Sequence, residues 1–125
     1  MFEIIIKHEC IANCNILLYN KYKQTYVELS NVFEWDDEKD KKNKLKHGIG
    51  FNTAILVFAD KDRIEKYDEA HSIYEDRYIT IGEINGTFMV VTVVYTERRE
   101  NIRIIPARLA TGAEKEAYYD SKNNS

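Results

Sequence analysis

Phe88-Met89-Val90-Val91-Thr92-Val93-Val94-Tyr95-Thr96 is a long apolar run. Apolar side chains fall on both parities, which predicts a central strand covered on both faces. Upstream, Tyr78-Ile79-Thr80-Ile81-Gly82 reads as a second strand, and Ile84-Asn85-Gly86-Thr87 carries the Asn-Gly hairpin signal between the two. Downstream, the charged turn Glu97-Arg98-Arg99-Glu100-Asn101 leads into a third strand, Ile102 to Ala107. The expected unit is an antiparallel meander.

Helical signals flank it. Asp36 stands at an N-cap position, and Asp36, Asp37 and Glu38 crowd a first turn where the helix dipole favours negative charge. Lys39, Lys41, Lys42, Lys44 and Lys46 follow, and Gly48 is suited to end the helix, so Asp37 to His47 is predicted helical. Phe51, Ala54, Ile55 and Phe58 have helical spacing and predict a second short helix. Asp60 to Glu69 is charged and predicts a short edge strand or loop. Thr111 with Glu114 forms a capping box for a last helix over Ala113 to Tyr119. The fold class is therefore α+β, an antiparallel sheet packed against N-terminal helices and a short C-terminal helix. Residues 1–31 precede this patterned region. Phe2 to Ile6 and Tyr22 to Leu29 are strand-like, and Ile11 to Tyr19 reads as a short helix. The patterned domain spans 32–119, and the polar residues 120–125 are expected to fray.

The chain of 125 residues, 44% apolar and 31% charged, is composed as a soluble globule with one core. A net charge of −3 excludes a basic footprint over the whole protein, so any nucleic-acid function must rest on local charge. No apolar run approaches the roughly 18–20 residues that cross a bilayer. Met1 to Ile6 lacks the features of a signal peptide, and a cytoplasmic location is expected. Cys10 and Cys14 read as reduced thiols, because no secretion signal accompanies them, and with His8 they form no recognised zinc spacing. Neither a metal nor another cofactor is expected.

The stretch richest in chemical potential is Ile102-Arg103-Ile104-Ile105-Pro106-Ala107-Arg108. From Arg98 to Arg108 there are four arginines against one glutamate, a local charge of +3. An arginine among isoleucines must meet an anion or a carboxylate, since an unpaired buried guanidinium is costly. Arg103 and Arg108 have odd separation, but a bend at Pro106 could bring them to one side. On patterning alone the structural reading is favoured: Arg103 would pair with Glu75 or Glu83, and Arg108 would cover helix ends. Arg77 and Glu75 share a face if the strand at Tyr78 starts early, as a phosphate-orienting pair or a surface ion pair. Arg98 and Arg99 are expected to be solvated. His47, after Lys46, can move a proton near neutral pH or simply cap its helix. His71 is either a loop histidine with a carboxylate partner or a second titrating group. The sequence has no glycine-rich phosphate loop and no Gly-x-Ser-x-Gly motif.

In order and spacing, several stretches resemble the BrnT family of type II toxins. They are Phe33-Glu34-Trp35-Asp36, Lys39, Asn43, Lys46-His47-Gly48-Ile49 and Phe51. Ala54, Phe58, Asp68, His71, Glu75, Arg77 and Ile81-Gly82 follow. The match closes with Val93 to Arg98, Ile102 to Ile105, Ala107-Arg108, Ala110-Thr111, Glu114 and Tyr118. The resemblance implies a RelE-like fold and metal-independent cleavage of RNA. It also implies a BrnA-like antitoxin, a ribbon-helix-helix DNA-binding protein through which the pair reaches operator DNA. Carried over by motif, Lys46, His47, Glu75, Arg77, Arg103 and Arg108 form the expected functional set. A non-catalytic toxin that only binds its antitoxin and acts as co-repressor is the alternative.

Metal-free RNA cleavage needs a base for the 2′-hydroxyl, positive charge for the phosphate and an acid for the leaving 5′-oxygen. Arg77, Arg103 and Arg108 suit the second task, His47 or Glu75 the first, and Lys46 or His47 the third. Two departures from the family stand out. Pro106 occupies a position usually held by a small serine-like residue, which removes a backbone donor. The first 31 residues have no family counterpart, so a natural start near Val32 is expected; a native N-terminus at Met1 would refute it.

Overall fold

A computed structural model describes residues 17–20, 25–28, 33–84, 87–99 and 101–124. Strands β1 (Leu17–Asn20) and β2 (Thr25–Glu28) pair antiparallel as a separate two-stranded sheet. Leu17 to Tyr19, expected at the end of a helix, is thus extended, its cross-strand pairing overriding local propensity. The strand expected over Phe2 to Ile6 lies outside the described residues.

The main sheet has the order β3-β7-β6-β5-β4. Its members are β3 (Phe33–Glu34), β4 (Ile64–Tyr67), β5 (Tyr78–Ile84), β6 (Met89–Arg98) and β7 (Asn101–Leu109). The meander β4 to β7 is antiparallel as expected, but β3 adds a parallel pair with β7, so the sheet is mixed. The predicted central run is β6, in the middle of the five strands. Phe88 falls outside it, exposed and with φ 59°. Thr87 N–H donates to the Ile84 carbonyl at 3.1 Å, closing the hairpin; the expected Asn85-Gly86 turn itself lies outside the described residues. The charged turn is tighter than expected, because Arg98 already pairs with Asn101.

Helix α1 (Asp37–His47) has the predicted bounds. Asp36 accepts from the N–H groups of Glu38 and Lys39, which hold its carboxyl below the usual range. Gly48 ends the helix at φ 72°, a left-handed conformation that glycine adopts without strain. This helix has almost no apolar face, and Leu45 is 89% exposed. Two buried polar side chains dock it instead. Asn43 accepts from Ala107 N–H at 3.2 Å and donates to the carbonyls of Ala107 at 2.7 Å and Ile49 at 2.9 Å. It thereby pairs with the edge of β7 as a strand would. Asp40 accepts from Phe51 N–H at 2.8 Å.

The expected second helix is a short α2 (Phe51–Ala54) continued as a 3₁₀ helix over Ile55–Ala59. Phe51, Ala54, Val57 and Phe58 are buried against Val91, Val93, Tyr95, Ile104 and Ala107, the core face of the sheet. Phe58 packs on Phe33 and Tyr95, with ring centroids 4.9 and 5.1 Å apart. Gly82 permits this approach, since a Cβ there would come within 2.9 Å of Val57 Cγ1. The last helix, α3 (Gly112–Asn123), has the predicted capping box but runs further than expected, through most of the tail. Burial of Tyr118 against Ile81, Val90 and Ala110, on the other face, anchors it.

Candidate functional site

That other face is read from the register. Thr92, Val94, Thr96 and Arg98 alternate with the core residues of β6. On β7, Arg108 stands opposite Thr92, and Arg103 stands opposite Thr96. Between them Val93 pairs with Ala107 while Tyr95 pairs with Ile104. One β7 residue is therefore extra, and Ile105 and Pro106 together oppose Val94 as a β-bulge. The bulge reverses the parity of everything beyond it and sets both arginines on one face. Proline is tolerated at such a point, where the ladder is already interrupted.

Alternation from Tyr78, Ile79 and Ile81 puts Arg77 on this face too. Four arginines thus surround Thr92 and Thr96. Three are matched by carboxylates. Arg98 donates to Glu75 at 3.1 Å, Arg103 lies 3.8 Å from Glu34, and Arg108 makes a two-pronged bond to Glu114. Burial pushes the Glu114 carboxyl up, but bonds from Arg108 and from Thr111 N–H outweigh it and hold the group at about 2. Among the described residues, the buried side-chain polar atoms without a hydrogen-bond partner are Arg77 Nε and Thr92 Oγ1. Both belong to this face.

These pairings correct several expectations. Glu75 bonds Arg98 rather than Arg77, because β5 begins only at Tyr78. Arg103 faces Glu34, its register partner on β3, rather than Glu75 or Glu83. Arg98 is not simply solvated. Arg108 does cover a helix end, as the structural reading held. His71 meets Asp68 at 2.9 Å, the local carboxylate partner.

Lys46 and His47 sit in the last turn of α1. They lie three and four residues beyond Asn43, so they share its side of the helix. Lys46 is exposed, His47 is half-buried, and neither makes a hydrogen bond or ion pair among the described residues. The structure does not bring them into contact with the arginines. His8, Cys10 and Cys14 lie outside the described residues, and among those described no three His, Cys, Asp or Glu residues are grouped to hold a metal ion. No helix of the described residues is long and apolar enough to cross a membrane.

The clefts along the surface differ in charge, and only the first has a positive balance. A shallow cleft of about 670 Å³ is lined by Glu34, Arg98, Arg99 and Asn101, and a smaller one of about 190 Å³ by Glu75, Asp76, Tyr78, Thr96 and Glu97. A third, near α3, is lined by the carboxylates Asp60, Asp62 and Glu83 together with Lys61 and Lys122. Sequence reasoning missed Asp40 and Asn43 as docking residues, and it missed Thr92 and Thr96. Their even spacing inside the valine run was the available signal, since it separates one polar-lined face from one apolar face.

An α+β protein with a guanidinium-rich sheet face is suited to bind a polyanion. The profile of a family described as "Ribonuclease toxin, BrnT, of type II toxin-antitoxin system" matches residues 35–114. The chain belongs to that family of ribonuclease toxins. No curated relative matches it. Membership implies an antitoxin partner and an RNA target.

Proposed function

We propose that this chain is a metal-independent endoribonuclease of RelE-like kind that binds RNA across the arginine face and arrests growth by cleaving it. The observation that carries this reading is the pair of buried atoms without a partner among the described residues, Arg77 Nε and Thr92 Oγ1, on the face that also holds Arg98, Arg103 and Arg108. A buried donor without an acceptor costs about 1–3 kcal/mol, and a phosphate oxygen would satisfy it. Arg77 and Arg103 would hold the scissile phosphate. Glu75 and His47 have the chemistry of a base for the 2′-hydroxyl. Lys46 or His47 would protonate the leaving 5′-oxygen. A BrnA-like ribbon-helix-helix antitoxin would neutralise the toxin and carry the pair to operator DNA, and the working domain is residues 32–119, in the cytoplasm.

One observation favours a second reading, a non-catalytic antitoxin-binding module: Arg98, Arg103 and Arg108 already face carboxylates. Inducible expression separates the two. Expressed alone, the chain should stop growth and fragment transcripts; with the adjacent gene it should do neither. Intact RNA from cells that accumulate folded protein would overturn the catalytic reading.

A further inference from the structure

The loop between β4 and β5 carries a feature that phosphate binding leaves unused. Tyr74 at its tip is 99% exposed, and Ile73 beside it is 76% exposed. A loop presenting large apolar side chains to water is ordinarily loose, but this one is tied shut. Asp68 N–H donates to the Arg77 carbonyl at 2.9 Å, and Arg77 N–H donates to Ser72 Oγ at 2.9 Å. Ser72 Oγ in turn donates to the Asp68 carbonyl, and His71 closes on the Asp68 carboxylate. Every one of these ties lies at the base of the loop, and none involves Ile73 or Tyr74. The aromatic ring is therefore held out by a closed frame.

The base of that frame is Arg77, whose Nε is buried on the arginine face without a partner among the described residues. Tyr74 is three residues away, so their Cα atoms are at most about 11 Å apart, at roughly 3.3–3.6 Å per residue. Glu75, between them, binds Arg98 and fixes the loop to the end of β6. An exposed aromatic ring one short step from unpaired guanidinium charge is the combination that binds single-stranded nucleic acid: the charge tracks the backbone and the ring stacks on a base. Pre-ordering of the loop lowers the entropy lost on binding.

We infer that Tyr74 is a base-stacking platform for single-stranded RNA, holding a nucleotide next to the phosphate bound at Arg77. The inference rests on the RNA-binding reading above. The ring takes any base, so it sets position along the strand rather than sequence.

The test titrates parent protein, Tyr74→Ala, Tyr74→Phe and Arg77→Ala with two labelled probes. One is a single-stranded RNA oligonucleotide with methylated 2′-oxygens, which cannot be cleaved; the other is an abasic oligonucleotide of equal length. Tyr74→Ala should bind the RNA about 5- to 150-fold more weakly, the range that base–aromatic stacking covers. Its log–log dependence of affinity on salt should match the parent's, because no phosphate contact is lost. Arg77→Ala should instead lower that slope by about 0.7. Tyr74→Phe should retain binding within about twofold, since the ring persists. Parent and Tyr74→Ala should bind the abasic probe equally. RNA binding by Tyr74→Ala equal to the parent's overturns the inference and leaves the RNA-binding reading standing. So does an equal loss on both probes, or loss of antitoxin binding with RNA binding intact, which would assign the loop to the protein partner. If the parent binds neither probe, the RNA-binding reading falls and this inference falls with it.

Discussion

Arg103 and Arg108 lie on one face of the sheet although they are five positions apart, because the bulge at Ile105 and Pro106 inserts one residue opposite Val94. In a regular strand they would point to opposite faces, and one would enter the aromatic core. Pro106 is the unusual residue of this strand, and it sits at the point where the parity changes.

Deleting Pro106 should therefore leave the faces of this strand unchanged. The deletion restores regular pairing, with Ile105 alone opposite Val94, Ala107 still opposite Val93 and Arg108 still opposite Thr92. A cooperative thermal transition should persist. Pro106→Ser keeps the residue count and should cost only about 0.4–1 kcal/mol, through the freer unfolded chain. A deletion variant that no longer melts cooperatively would contradict this register.

Arg77→Ala and Arg103→Ala should each abolish growth inhibition while the protein stays folded. Among the described residues Arg77 has no carboxylate partner and Arg103 only a contact at 3.8 Å, so little folding energy is lost. Growth curves and circular dichroism of both variants provide the check; full toxicity in both would remove them from the site.

Acid should loosen the contact of α3 with β7. The Glu114 carboxyl sits at about 2 against an ordinary 4.5. A depressed folded-state value adds stability that is present above about 4.5 and is lost as pH falls toward about 2. Glu114→Gln should be less stable than the parent at neutral pH and lose less stability across that window. Urea midpoints at pH 2.5, 3.5, 4.5 and 7 test this, and parallel curves for the two proteins would contradict it.

Asn43→Leu should destabilise by about 2–4 kcal/mol, despite adding an apolar residue, because buried backbone groups of Ala107 and Ile49 lose their partners. Asn43→Asp should also be costly, since a carboxylate cannot donate to the two carbonyls. Chemical denaturation measures both; stability within about 0.5 kcal/mol of the parent, the usual range of a surface substitution, would be inconsistent with the docking role.

Local signals determined much of this protein. The Asp36 cap, the charge gradient of α1 and the Gly48 stop set the bounds of that helix, because capping and dipole interactions act within one turn. The Thr111–Glu114 box started α3, and the valine run made β6 the central strand. Where each element docks was decided by tertiary structure. The α1 helix, almost without apolar residues, found its place through Asn43 on an unpaired strand edge 64 residues away. The parallel β3, the longer α3 and the partner of each arginine likewise depend on chain segments distant in sequence. Pro106 marked in the sequence where a strand could bend. Only the pairing of β7 with β6 made that bend a bulge that gathers the arginines, because parity is a property of two strands in register and not of one.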